Sequence, residues 1–279
     1  MTAGRKDGYC QTFDKTRQKK KNSMMKFGVC GDVARARVAA KAGYDYWECS
    51  VMNALRPLEA DAVFKAELEQ LKSVEIPCEV ANCFIPSDLK ITGPDMDDAK
   101  LLAYVQTTCS RAQQAGIEVI VFGSGGARQI PEGFDRDKAH EQIVSFCRMV
   151  GPVAEDHNVT IAIEPLNQAE CNVLTSVAEC AELAQEVNHP AIQLLVDFYH
   201  LLKADDSIDS IVTYGAFLRH VHIATKEQRM QPGGEPCDFT AFFGALKAVG
   251  YDDRMSIEGQ IDEDALPASL ELIRGLAGL

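Results

Sequence analysis

The sequence predicts an α/β fold built as a single (β/α)8 barrel, on three observations. Short β-rich runs alternate with longer helical patterns, eight such runs can be counted from Lys26 onward, and no hairpin signal interrupts them. In order, the runs are "KFGVCG" (26–31), "YDYWECSV" (44–51), "IPCEVANCF" (76–84), "IEVIVFGSG" (117–125), "VTIAIEPL" (159–166), "IQLLVDFYH" (192–200), "LRHVHIA" (218–224) and "RMSIEGQ" (254–260). Between them, segments such as 96–115, 135–156 and 174–187 repeat apolar residues every three or four positions, as an amphipathic helix does. Gly43, Gly116 and Gly250 each precede a strand, where a helix C-cap belongs. An open doubly wound sheet is the alternative. It wants a phosphate-cradling glycine loop after the first strand, and "GVCGD" is not one.

With 279 residues, 46% hydrophobic and 25% charged, the chain can bury one large core. We divide it into a basic, disordered extension over 1–25, or sequence ahead of a start at Met24 or Met25, and a catalytic barrel over 26–279. Seven basic and two acidic residues in the extension leave the rest at −18 of a total of −13. Such an acidic body repels polyanions, so nucleic acid is not an expected partner. No apolar run of membrane-spanning length and no apolar N-terminal leader is present, so no membrane contact and a cytoplasmic location are expected. Cys30, Cys49, Cys78, Cys83, Cys109 and Cys147 lie in apolar or helical segments without CxxC pairing, which predicts buried, reduced thiols.

Active sites of such barrels form where strands end, so polar residues closing apolar strands carry the information. The last four runs each close on a group able to bind a divalent cation: Glu164 in "IAIEP", Asp197 in "LLVDF", His222 in "HVHIA" and Glu258 in "SIEG". Each is separated from the next by one βα unit, which puts them at matching heights around the axis. Three carboxylates and one imidazole form a hard, mostly oxygen set suited to Mn2+, Mg2+ or Co2+. Without a cation the crowded acids could not all stay ionised. Any one of them alone reads equally as a helix N-cap or a core histidine. His220 is the internal control, two residues before His222 on the same face and one layer deeper.

From Lys26 to its end the chain resembles the xylose isomerase-like TIM barrels, in particular the sugar isomerase/epimerase group. "EPLNQAE" is similar to the group's E-x-L-N-x-x-E, "DFYH" to its D-x-x-H, and "HIATKEQRMQPG" to its ligand His followed by R-x-x-P-G. The resemblance implies Glu164 and Glu258 as catalytic acid/bases and Glu164, Asp197, His222 and Glu258 as ligands of one divalent metal, Mn2+ foremost, with Mg2+, Co2+ or Zn2+ as alternatives. It further implies Glu170, His200 and Arg229 as substrate contacts, and an assembly of two or four chains. Arg229 falls seven residues after His222 where the group usually has six, which we read as one extra loop residue. Gln168 and Ala169 replace the group's usual Arg and Phe, leaving the sugar open.

The expected activity is isomerisation or epimerisation of a ketose or ketose phosphate. Two carboxylates flanking the substrate remove a proton beside a carbonyl and return one, through an enediolate that a metal stabilises. Glu170 would orient Glu164 or a bridging water. The glycine-rich "FGSGGARQIPEG" adds Arg128 as a substrate-binding residue, with Lys226 as a further cation near the mouth, unless the glycines only make a tight turn. Trp47 and Phe84 are candidates for an apolar wall or for core. A dehydratase acting on an inosose or dehydroshikimate-like substrate begins with the same proton abstraction and stands as the alternative. A non-enzymatic sugar-binding barrel is a third reading. A multinuclear zinc nuclease on this fold needs histidines that "ANCF", "FGSG" and "QPGGEPCDF" lack.

Overall fold

The computed structural model describes residues 24–279, so the basic extension lies outside them except for Met24 and Met25. Eight parallel strands close on themselves in chain order: β1 (Lys26–Cys30), β2 (Tyr46–Ser50), β3 (Cys78–Asn82), β4 (Val119–Phe122), β5 (Thr160–Ile163), β6 (Ile192–Asp197), β7 (Leu218–Ile223) and β8 (Arg254–Ile257). Every strand is shorter than its apolar run. The ladder stops where a proline, a glycine turn or a helix takes the chain out of the sheet, as at Pro165 after β5. The run 192–200 holds both a strand and the start of a helix, because Asp197 ends β6 and caps the next segment with its own carboxylate.

The surrounding helices are α1 (Val33–Ala42), α2 (Asp61–Lys72), α3 (Asp98–Ala115), α4 (Gly125–Arg128), α5 (Arg136–Asp156), α6 (Val177–Val187), α7 (Phe198–Lys203), α8 (Asp209–Tyr214), α9 (Thr240–Ala248) and α10 (Leu266–Ala277). Asp32, Asp97, Asp135 and Ser176 cap N-termini by accepting backbone N–H groups. Gly43 and Gly116 take left-handed C-cap conformations with φ of 89° and 80°. Gly250, with φ 63°, follows the C-cap Val249 by one residue.

Alternating parity divides the core. Tyr46, Val80, Val119, Val121, Ala162 and Leu195 fill the barrel interior, whereas residues such as Trp47, Ile120, Ile161 and Ile163 pack outward in the larger core that includes the helices. Phe84 is fully buried among Tyr104, Phe122 and Phe146, with ring centroids 6.2–6.4 Å away, so it is core and not a cavity wall. The cysteines of the described residues are all free, most of them buried, but Cys83 is exposed, contrary to the expectation that it lies inside. Among the described residues no helix is long and apolar enough to cross a membrane.

Two features frame the ends of the barrel. At the N-terminal end, Arg254 meets Glu79, Glu118 at 2.6 Å and Asp253 at 3.0 Å, while Lys26 reaches Glu79 at 2.7 Å and Arg219 pairs with Asp253. At the C-terminal end, the chain leaving β2 forms a π-helical turn over Val51–Leu55. Arg111, buried under it, donates to the carbonyls of Leu55, Arg56 and Glu59 and holds the turn in place.

Candidate active site

Glu164 follows the last residue of β5, Asp197 ends β6, His222 lies in β7 one residue from its end, and Glu258 follows β8. Register delivers them to one level, with Asp197 opposite His222 and His222 opposite Ser256. One donor atom from each of the four lies within 4.8 Å of all the others. Glu164, Asp197 and His222 are buried, and Glu258 is about a fifth exposed toward the mouth. Gly123 makes this possible beside β5, because a Cβ there would stand 2.2 Å from the Glu164 carboxylate.

Hydrogen bonds fix which atoms face inward. His222 Nε2 donates to both oxygens of Glu48, at 3.0 and 3.1 Å, so Nδ1 is the atom presented to Glu164 at 3.3 Å and Glu258 at 3.2 Å. His220 Nε2 also meets Glu48, at 2.9 Å, one layer deeper, as its position two residues before His222 predicts. Glu48 is fully buried and was not picked out from sequence. Its signal was present in "YWECS", where an acid sits at an interior-facing position of an apolar strand. Asn82, at the end of β3, also escaped notice; its side chain donates to Glu258 Oε1 at 3.2 Å.

The other expected contacts divide. His200 Nδ1 accepts from the backbone N–H of Asn167 at 3.2 Å, so in the neutral ring Nε2 carries the proton, and it points to Asp197 Oδ2 at 3.7 Å. Asn167 also donates to Glu170 Oε1 at 3.0 Å, which returns that acid to the edge of the cluster, 3.9 Å from His200. Arg229 arrives despite its longer spacing: its guanidinium contacts Glu258 at 2.6 Å and Asp197 at 3.1 Å and lies over the Tyr199 ring. Thr225 and Gln260 hold the backbone of that loop on either side, through Met230 and through Arg229 itself. Arg128 is not a substrate contact. Fully buried, it donates from Nη1 and Nη2 to the carbonyls of Phe122, Glu164 and Leu174, and so fixes the exit of β5 from behind. Lys226 is exposed and away from the cluster's hydrogen bonds.

Charge in this cluster is uneven. Burial, with Glu258 nearby, raises the Glu164 carboxyl above its ordinary range although His222 pulls the other way. Glu258 feels the same burial, but His222 and Arg229 outweigh it and hold it near 2. His222 is raised, its burial overcome by Glu48 and Glu258. Glu164 Oε1 and His222 Nδ1 are buried without a hydrogen-bond partner. Two inward-facing atoms left unsatisfied, inside a hard oxygen-rich donor set, fit a divalent cation. As ligands, Glu164 and His222 Nδ1 would hold such an ion in their unprotonated forms, so its binding and their protonation would compete.

A sequence profile of the family described as "Xylose isomerase-like TIM barrel" matches residues 36–276. Among individual proteins, "L-ribulose 3-epimerase" of Methylomonas sp. (strain DH-1) is 24% identical over 225 residues, 79% of this chain and 75% of that protein. "3-dehydro-D-guloside 4-epimerase" of Escherichia coli (strain K12) is 29% identical over 132 residues, 47% of this chain and 49% of that protein, so the chain is matched over about half of that relative's length. Among solved structures, "D-Psicose 3-epimerase with D-tagatose from Clostridium cellulolyticum H10" superposes with a TM-score of 0.77 over 91% of this chain and 99% of that one, at 21% identity. That last likeness establishes the fold.

Proposed function

The chain belongs to the xylose isomerase-like TIM barrel family, and from that premise we propose that it is a divalent-metal-dependent isomerase or epimerase of a ketose. The observation that carries the reading is the convergence of Glu164, Asp197, His222 and Glu258 within 4.8 Å, with Glu164 and Glu258 supplied by strands three apart around the barrel. Names of the relatives point to the same class of chemistry on sugars.

The four side chains would hold one cation, for which Mn2+ is our choice among hard divalent ions. Bound there, such an ion supplies Lewis-acid stabilisation of negative charge developing on substrate oxygens. The protein's own groups do the rest. One of Glu164 and Glu258 takes the proton from the carbon beside the carbonyl, and the other, across the substrate, gives one back. Arg229 and the Nε2–H of His200 donate to the oxygen that gains charge. The backbone N–H of Asn167 holds His200 in the tautomer this requires, and Glu170 accepts from the Asn167 amide and steadies it. With Arg128 sealed in the barrel wall and Lys226 on the surface, the site has few cations left for a phosphate, which favours an unphosphorylated sugar.

The test is to incubate Mn2+-loaded protein with a panel of ketoses, ketose phosphates and inososes in D2O. Deuterium should enter beside the carbonyl, disappear after chelation and return with Mn2+. A panel without exchange, or exchange indifferent to chelation, would refute the proposal. A dehydrated enone product would assign a lyase instead.

A further inference from the structure

Arg229 touches the converging cluster through a single atom. Its Nη2 lies 2.6 Å from Glu258 Oε2 and 3.1 Å from Asp197 Oδ2. Those are the inward oxygens of the two carboxylates. Asp197 Oδ1 accepts the N–H of Tyr199 at 2.7 Å as a helix cap, and Glu258 Oε1 accepts from Asn82 at 3.2 Å, which leaves Oδ2 and Oε2 for the cluster. Oε2 is also the oxygen that faces His222 Nδ1, at 3.2 Å. One NH2 group thus bridges two oxygens that a divalent ion held by all four side chains would draw on, while Glu164 Oε1 and His222 Nδ1 have no such partner.

We infer that Arg229 is a tethered counter-ion of the metal site, displaced when a divalent ion loads and thereby freed to meet the substrate. The inference rests on the proposed isomerase or epimerase reading and deepens it, by making metal loading the event that arms the substrate-binding arginine.

Three observations separate this arginine from one that braces the fold. First, a guanidinium and a divalent ion on the same two oxygens repel each other, and the ion carries twice the charge. The two therefore compete for Asp197 and Glu258. Second, the guanidinium is mostly unspent. Arg254, at the other end of the barrel, donates from Nε to Glu79, from Nη1 to Asp253 and from Nη2 to Glu118. Arg229 makes both carboxylate contacts from Nη2 alone, and its Nε is buried without a partner. A planar fork of five donors binds carboxylate best through two parallel N–H groups, so this bridge uses the group as a point charge. Third, the side chain has somewhere to go. Its backbone is held by the Gln260 N–H at 2.7 Å, and a Cβ on Gly259 would collide with the same carbonyl oxygen, so the main chain stays in place. The side chain is about a quarter exposed and lies 4.6 Å over the Tyr199 ring. It borders a cavity of about 480 Å3 that Tyr199, Glu227 and Glu258 also line. Rotation about side-chain bonds is enough to carry the guanidinium from the carboxylates into that space, where the Tyr199 face still supports it.

The experiment titrates Mn2+ by calorimetry into chelator-treated full-length wild type, Arg229→Gln and Arg229→Met. Removing a competing positive charge should tighten Mn2+ binding in both variants by about tenfold or more. A residue that only contacts substrate would leave the affinity unchanged, and one that only orients the ligands would weaken binding when removed. A second measurement uses wild type alone and so does not depend on a variant folding. Phenylglyoxal labelling of Arg229, read by peptide mass spectrometry, should become several-fold faster once Mn2+ is bound. Unchanged or weaker Mn2+ affinity in a cooperatively melting variant, or labelling that Mn2+ leaves unchanged or slows, would overturn the inference and leave the isomerase reading standing. Wild type that binds no divalent ion would overturn both.

Discussion

At the N-terminal end of the barrel, Arg254 is surrounded by Glu79, Glu118 and Asp253, with Lys26 and Arg219 completing the pairing. At the C-terminal end, Glu164, Asp197, His222 and Glu258 converge with Arg229, and yet Glu164 Oε1 and His222 Nδ1 are left without hydrogen-bond partners. Both ends bury charge in one fold, and β7 and β8 contribute to each. The difference is completeness: a cluster whose charges satisfy one another serves the fold, and one that leaves inward-facing donors and acceptors unmet is arranged around something else. Residue type does not separate them, since acids and arginines occur at both.

The sharpest way to break this comparison is to remove a carboxylate from the C-terminal cluster. Glu164→Gln and Glu258→Gln should each cut proton exchange by about 10^2- to 10^4-fold, the range of general acid/base contributions, with little change in thermal stability. Full exchange in either variant would sink the two-carboxylate assignment. The mirror experiment is Arg254→Met, expected to cost about 1–3 kcal/mol in chemical denaturation because Glu79 keeps Lys26 but loses its buried guanidinium, while leaving Mn2+ affinity unchanged. A smaller effect is expected from Glu48→Gln. Weakening the carboxylate that aims His222 should lower Mn2+ affinity by about 10- to 100-fold in calorimetry, and an unchanged affinity would mean His222 is positioned by packing alone.

The weakest effect concerns acid. Lys26 and Arg254 outweigh burial at Glu79 and hold its folded pKa below the ordinary 4.5. Its contribution to stability is therefore present above the unfolded value and lost as pH falls through the lowered one. Wild type should lead Glu79→Gln in melting temperature at neutral pH, and the gap should close below about pH 4. A gap constant with pH would assign the loss to packing and not to charge.

How much of this was legible in the sequence follows from the reach of each interaction. The strands announced themselves through local apolar runs, and the four converging groups through a spacing of one βα unit. Glu48 did not, because what makes it important is a pair of histidines 172 and 174 residues away. Arg128 misled for a related reason. A cation after a glycine-rich turn reads the same whether it faces the cavity or turns back onto the carbonyls of its own strand ends, and the choice belongs to Leu174 and Glu164, 46 and 36 residues on. The π-helical turn at Val51–Leu55 was equally hidden, since Arg111 fixes it from α3.

The loop that carries Arg229 is gripped at both ends: Thr225 bonds Met230 through backbone and side chain, and Gln260, just past Glu258, takes the Arg229 carbonyl at 2.7 Å. Residues 226–228 thus form a bight of rope between two cleats, stayed from outside by Glu235, whose Oε1 accepts the backbone N–H groups of both Glu227 and Gln228. Counting residues from His222 is therefore a poor ruler for finding the arginine. The reliable ruler is the knot with Gln260, which ties Arg229 to the strand end bearing Glu258.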